Sequence, residues 1–364
     1  MKILHVIETL NYGGAERLLV TVLPELVRQN MAVEVAVMRP PWPLKKELEA
    51  AGITVHVLPE RGKWQIWRQM RDLCRLARSV DANVMHAHLY FSVVVTAAAR
   101  WSGCYKGVTH ASFHNQAYAG ANKNTWKLKA RRRLAGFLVR RGIDQPQAVS
   151  QISADHYAAS YRLDDIVVLH NAFDPESMIG IERMAGDTIV VPGRLVHEKG
   201  HCDLISALKL LQPDFPPISF AGDGPLRNLL EAEIISANLP ISIEGQLDHA
   251  KMLQTIASAR LVVIPSRFEG FGLTALEALA LGKAVVATNV GGLPEVLGKL
   301  GRKVPSCQPI KLAAALKAAI DDPDWIAAQE AAGPEQASKF AVANIASQQI
   351  TLYQKTHRTK GLRK

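Results

Sequence analysis

The sequence predicts an α/β protein of two doubly wound parallel-sheet domains, and three observations carry that prediction. Apolar runs alternate with helical patterns through residues 1–170, the rhythm restarts after a polar stretch at 170–187, and several runs are apolar without interruption. A strand apolar on both sides needs cover on both faces, which is the condition inside a parallel sheet flanked by helices. In order, the first half reads "KILHVI", "AERLLVTVLPELVRQ", "AVEVAVM", "LKKELEAAG" and "TVHVLP", then "WRQMRDLCRLARSV", "ANVMHAH", "SVVVTAAARW" and "GVTHASFH". The second half reads "TIVVPGR", "GHCDLISALKLLQ", "PISFAGDG", "PLRNLLEAEIISANL", "ISIEGQ", "HAKMLQTIASA", "RLVVIPS", "LTALEALALG" and "AVVAT". The expected division is 1–170, 171–335 and a closing helix over 336–364. That helix is read as starting after Gly333-Pro334, with Phe340, Ile345, Ile350 and Tyr353 at near-helical spacing.

Composition narrows the class. A chain of 364 residues with 48% apolar and 21% charged residues is an ordinary globular protein of two or three domains. Cys74, Cys104, Cys202 and Cys307 are scattered, with no Cys-x-x-Cys or Cys/His spacing, so a cytoplasmic setting is expected, without a disulfide framework or zinc site. The opening apolar run is too short for a signal peptide and reads as a first buried strand. No apolar stretch reaches the roughly 18 residues that span a bilayer. Charge is uneven: residues 1–170 hold 23 Lys/Arg against 13 Asp/Glu, whereas residues 171–364 hold 20 of each. Two domains with different partners would produce that split.

In open α/β sheets ligands bind beyond the carboxyl ends of strands, so the loops there are the places to look. After "TIVVPG", Arg194 and Lys199 stand five residues apart. Converging from one loop they would clamp a diphosphate, Arg by its fork and Lys as a point charge; alone, the pair also reads as a solvated loop. "FAGDGP" places Gly222 where a backbone can approach a base or ribose closely, or simply turn. In "RFEGFGLTALEALALG", the segment Gly270–Phe271–Gly272 leads into a helix expected near Leu273, whose N-terminus suits an anion. Glu269 precedes that helix and Glu277 lies about one turn inside it, so they are not an i,i+4 pair. Two ionised carboxylates so placed would accept hydrogen bonds from a polyhydroxylated ligand; the plainer reading gives one to the helix dipole and the other to solvent.

In the first half, Gly13 and Gly14 lead into helix one, but G-x-G-x-x-G is absent, so a nicotinamide-dinucleotide fingerprint is not supported. His86 and His88 form a candidate metal pair without an evident third ligand, which favours a structural role at a strand end. His110 and His114 end the next strand, and His114 is the better placed to face a cleft.

Through these residues the chain resembles glycosyltransferase family 4, retaining nucleotide-sugar transferases of the GT-B fold. The resemblance runs through "GGAER", "VMHAH", "THASFHN", "LHNAFD", "GRLVHEKGH", "AGDGP" and, most specifically, "PSRFEGFGLTALEALALGKAVVAT". It implies two Rossmann-like domains facing a central cleft, an acceptor-binding domain first and a donor-binding domain second. It implies that Arg194 and Lys199 neutralise the donor diphosphate and that Glu277 binds the nucleotide ribose. Glu269, with the backbone of Gly270, Phe271, Gly272 and Leu273, would hold the transferred sugar and distal phosphate, and His114 would border the reacting sugar. The expected donor is a nucleotide-sugar, a UDP-sugar first among the candidates, and no cofactor or metal is expected, because the two cations and the helix N-terminus already face the developing negative charge. Ala172, Ala284 and Asn289 depart from the usual Gly, Pro and Asp, which leaves fine substrate preference open. A nucleotide-sugar epimerase or a phosphorylase would share this architecture. From another class, a noncatalytic basic protein binding membranes or nucleic acid would explain the charge, although no aromatic-interleaved RNA platform is visible.

The segment 122–142 carries eight Lys/Arg and no acidic residue, with Trp126, Ala130, Leu134, Phe137 and Leu138 at helical spacing. Two readings stand: a core-packed helix with a solvated basic face, or a helix lying on an anionic membrane, peripheral to its inner face. The second would suit a lipid-linked glycan or lipopolysaccharide acceptor in cell-envelope biosynthesis. No nucleic-acid partner is expected.

Overall fold

"KILHVI" buries five of its six residues and forms an interior strand of the first sheet, between its second and fourth strands in chain order. The computed structural model describes residues 1–61, 65–114, 126–184, 186–211 and 215–361. The chain divides into Met1–Ala172 with Val342–Lys364, and Phe173–Ala341.

In unit 1 the elements are β1 (Lys2–Ile7), α1 (Gly14–Arg28), β2 (Ala32–Val37), α2 (Lys45–Ala50), β3 (Thr54–Val57), α3 (Ile66–Ser79), β4 (Val84–His88), α4 (Tyr90–Trp101), β5 (Val108–Phe113), α5 (Trp126–Gly142), β6 (Gln145–Ala148), α6 (Gln151–Tyr161) and β7 (Val167–Val168). All strands are parallel in the order β3-β2-β1-β4-β5-β6-β7, the topology of a doubly wound sheet. Alternation sorts the strand side chains: Leu4, Val6, Met85 and Ala87 pack toward α3, α4 and α5, while Ile3, Ile7, Val84 and Val108 pack toward α1.

Unit 2 contains β8 (Ile189–Pro192), α7 (His201–Lys209), β9 (Ile218–Ala221), α8 (Arg227–Ser236), β10 (Ile241–Ile243), α9 (His249–Ala257), β11 (Leu261–Ile264), α10 (Leu273–Ala280), β12 (Val285–Thr288), α11 (Leu293–Leu297), β13 (Arg302–Val304), α12 (Pro309–Ile320) and α13 (Pro323–Ser338). Its parallel sheet runs β10-β9-β8-β11-β12-β13. β8, β9, β11 and β12 are buried throughout, as a sheet covered on both faces requires.

The closing helix departs from the sequence reading. Gly333-Pro334 lies inside α13, and the last helix, α14 (Val342–Gly361), begins eight residues after Pro334. Gly333 is a packing notch: a Cβ there would come within 2.8 Å of the Leu279 carbonyl oxygen on α10. Phe340 therefore belongs to unit 2, where its ring meets the Phe271 ring edge-on at 5.6 Å. α14 belongs to unit 1: Ala346 and Tyr353 join the core formed with α1 and the first sheet.

Candidate active site

The loops at the carboxyl ends of β8, β9, β11 and β12 are pressed together through glycines. A Cβ on Gly222 would strike the carbonyl oxygen of Gly193, and one on Gly291 would strike that of Glu269. Gly291 also sits at φ +56°, where side chains are strained. Main-chain bonds tie the same loops, with Leu195 N–H donating to Asp223 O at 2.9 Å and Arg267 N–H to Glu198 O at 2.8 Å. The Arg267 guanidinium grips Asp203 with two bonds, of 2.6 and 2.5 Å, which fixes the approach to Glu269.

On this frame Lys199 Nζ donates to Glu269 Oε2 at 2.7 Å, and Ser266 Oγ donates to the same oxygen at 3.2 Å. The pair is largely sheltered, with 25% and 16% of the two side chains exposed, so it is held more firmly than a surface ion pair. An ammonium has three protons, so Lys199 retains donors for a second anion while bonded to Glu269. Arg194, in the same loop, is exposed and makes no ion pair among the described residues. α10 does begin at Leu273, and its N-cap Gly272 offers no side-chain acceptor to the first turn. The helix N-terminus thus keeps its positive character toward the loop. Phe271 turns its ring into the core and Gly270 stays half-buried beside it. Glu277 projects from α10 with Oε1 3.0 Å from His249 Nε2, at the start of α9. Arg194, Lys199, Gly222, Glu269, Gly270, Phe271, Gly272, Leu273 and Glu277 therefore all lie at strand ends or helix starts of one unit.

Unit 1 brings together a different chemistry. His5, His86 and His110 stand opposite one another on β1, β4 and β5, and His88 lies one row further along. His5 Nδ1 is 2.9 Å from His88 Nε2, and His88 Nδ1 is 3.1 Å from His114 Nε2. His86 meets the Tyr353 hydroxyl at 2.5 Å and Ser112 Oγ at 2.8 Å, and His110 meets Thr356 Oγ1 at 2.8 Å. Burial keeps His5 and His114 neutral: it holds His114 down to about 4 and His5 to about 3, the latter with help from His110. His86 and His88 are held well below the usual range for the same reason. The sequence offered no third ligand to His86 and His88, whereas the fold supplies His5, and the three rings place one nitrogen each within 4.8 Å of one another. An ion there would have to displace hydrogen bonds that His86 and His88 make through both ring nitrogens.

Gly13 caps α1, and Gly14 opens it, but that N-terminus already has its anion. Glu16 folds back against Gly13 and accepts from Thr9 Oγ1 at 3.0 Å, and burial raises its pKa. On α5, Ala135, Leu138 and Val139 are buried, while Trp126, Leu134 and Phe137 are exposed. Leu138 therefore leaves the outward row that spacing assigned to it, and residues 122–125 lie outside the described residues. No helix among the described residues is long and apolar enough to cross a membrane.

Comparison with known proteins settles the lineage. Residues 12–177 match Glycosyltransferase Family 4, and residues 180–337 match Glycosyl transferases group 1. The chain belongs to glycosyltransferase family 4.

Among its relatives, α-maltose-1-phosphate synthase of Mycolicibacterium smegmatis is 25% identical over 329 residues, covering 78% of this chain and 82% of that protein. Glycogen synthase of Mycobacterium tuberculosis is 38% identical over 138 residues, 36% of this chain and 33% of the synthase, so the match spans about a third of that relative. The crystal structure of Anabaena Alr3699/HepE in complex with UDP matches with a TM-score of 0.82 at 22% identity, over 98% of this chain and 100% of that one. The same Anabaena protein has been solved with UDP-glucose. The fold is GT-B, with two parallel-sheet α/β units.

Family-4 motifs find the loop residues but not their partners. His249 was passed over because it lies 28 residues from Glu277, on another helix. His5 had a signal available: "KILHVI", "VMHAH" and "VTHASF" each carry histidine at the same depth of a parallel strand.

Proposed function

We propose that this glycosyltransferase moves a sugar, with retention, from a UDP-sugar to a glycan or lipid-linked glycan acceptor of cell-envelope biosynthesis, without a divalent metal. The observation that carries this reading is the Lys199–Glu269 pair, which sets a cation and a sugar-hydroxyl acceptor side by side before an uncapped helix. Lys199 and Arg194 take the diphosphate, and its negative charge grows as the sugar–phosphate bond breaks; fixed cations act most strongly on charge that develops in the transition state. Glu277, oriented by His249, accepts from the ribose hydroxyls. Glu269 and the 270–273 backbone hold the transferred sugar and distal phosphate, and His114 serves the same sugar. The proton of the acceptor hydroxyl passes to a departing phosphate oxygen on the same face. UDP in a structure of the same fold supports the choice of nucleotide.

The test is transfer from labelled UDP-glucose, with and without acceptor, in buffer stripped by EDTA. Retained activity with unchanged anomeric configuration is expected. Activity restored only by Mg²⁺ or Mn²⁺ would overturn the metal-free reading, and acceptor-independent conversion of donor would indicate an epimerase.

The exposed row on α5 favours a peripheral membrane setting for unit 1. Trp126, Leu134 and Phe137, with Trp101 edge-on to Phe137 at 5.7 Å, form an apolar strip beside arginines that pair with no acid among the described residues. At 100° per residue Arg133, Arg140 and Arg141 share that outward half of the helix. Co-sedimentation with anionic but not neutral vesicles is expected, and neutralising Arg133, Arg140 and Arg141 to Gln should weaken it by about 1 kcal/mol each.

A further inference from the structure

His5, His88 and His114 form an unbroken chain of ring-to-ring contacts, and the chain has two loose ends. His5 Nε2 and His114 Nδ1 are buried and have no hydrogen-bond partner among the described residues. Both residues line one small cavity of about 40 Å³, beside Asn171 and Gln349, whose Oδ1 and Nε2 are also unpartnered. A space of that size with four polar atoms around it suits one or two waters.

Counting protons restricts what the chain can do. Three neutral imidazoles carry three N–H groups between them. Two are consumed by the His5–His88 and His88–His114 contacts, each of which needs one donor and one lone pair. The third must sit at one loose end, and the other end is then a bare lone pair. If His114 Nδ1 carries the proton, His88 donates to His114 and His5 donates to His88, leaving His5 Nε2 bare. If His5 Nε2 carries it, every tautomer along the chain reverses. Burial, which holds all three rings far below their usual pKa, keeps the count at three across the neutral range. His86 and His110 stand outside the count, because their nitrogens are directed to Tyr353, Ser112, Thr356 and Gln147.

We propose that His5, His88 and His114 are a tautomer-coupled relay, closed through cavity water, in which His5 is a positioning residue that dictates whether His114 offers a proton or a lone pair. The relay rests on geometry in unit 1 alone; its consequence for transfer rests on the proposed role of His114 toward the sugar. His5 thereby selects the hydrogen bond that His114 makes, without touching substrate.

The test is ¹⁵N NMR of histidine-labelled, full-length protein at neutral pH. The relay requires a head-to-tail pattern, with either Nδ1–H on all three rings or Nε2–H on all three. Any mixed pattern in the wild type overturns it, and so does a stoichiometric zinc ion retained at His5 through dialysis against EDTA. In His5→Phe, which keeps the ring and removes both nitrogens, the His114 ¹⁵N shifts should move although His114 does not touch His5. His5→Asn, which returns an amide near the Nδ1 position, should restore them. Unmoved His114 shifts in His5→Phe overturn the coupling. In the same variants kcat should fall by about tenfold in His5→Phe, with the donor KM unchanged, and recover in His5→Asn. Moved shifts with an unchanged kcat would leave the relay standing and remove His114 from the transfer reaction.

Discussion

The two units use polar residues in opposite ways. Unit 1 hides its imidazoles: His5, His86 and His110 stand side by side on one sheet face with His88 one row further along, beneath Tyr353 and Thr356 of α14, and His86 and His110 are directed to hydroxyl or amide groups. Unit 2 keeps its charges at strand ends and helix starts, where Lys199, Glu269 and Glu277 are partly open to solvent and Arg194 is exposed. In the first unit, hydrogen bonding among buried groups supplies order. In the second, close backbone approach through Gly222 and Gly291 supplies it, and the side chains remain charged. Sites built for proton placement and for anion binding need these different surroundings, because low dielectric suppresses charge and an anion site requires it.

The largest expected consequence is acid sensitivity concentrated in unit 1. His5 and His114 take up a proton near the ordinary imidazole value of about 6.5 when unfolded, but only near 3 and 4 respectively when folded, and His86 and His88 are lowered in the same direction. The unfolded chain therefore binds more protons as pH falls, so this stability is complete above about pH 6.5 and drains away below it. The slope is about 1.4 kcal/mol per pH unit for each group. Unit 2 has one such residue among the described ones, His201, held to about 4 by burial with Lys199 contributing. Tryptophan and hydrogen-exchange signals should show unit 1 opening first between pH 6 and 4, in the order of magnitude of these slopes. Simultaneous loss of both units would break the comparison.

A second test addresses unit 2. Gly291→Ala forces a side chain into a positive-φ site and against the Glu269 carbonyl. It should cost about 3 kcal/mol, read by urea denaturation as loss of unit 2 ahead of unit 1. A neutral substitution would show that the loops are not held by this contact.

How much of this was legible in the sequence follows the same division. The loop-to-helix segment around Glu269 was readable because glycines, an apolar helical pattern and carboxylates are local signals, and α10 starts where they place it. The imidazole chain was not, because it needs three strands in register, and register is not a local property. Gly333-Pro334 misled as a helix start: Pro334 is tolerated inside α13, and Gly333 serves the contact with Leu279 instead. The apolar spacing on α5 was half right, since one helix carries both a buried row and an exposed one.

The central claim is that unit 2 recognises the donor through fixed charge at its strand ends. Calorimetric titration of UDP into the wild type and Lys199→Ala tests it most directly. Measurable binding is expected in the wild type, with a loss of about 2 kcal/mol, roughly thirtyfold in Kd, in the variant. Equal affinity in both proteins would contradict it.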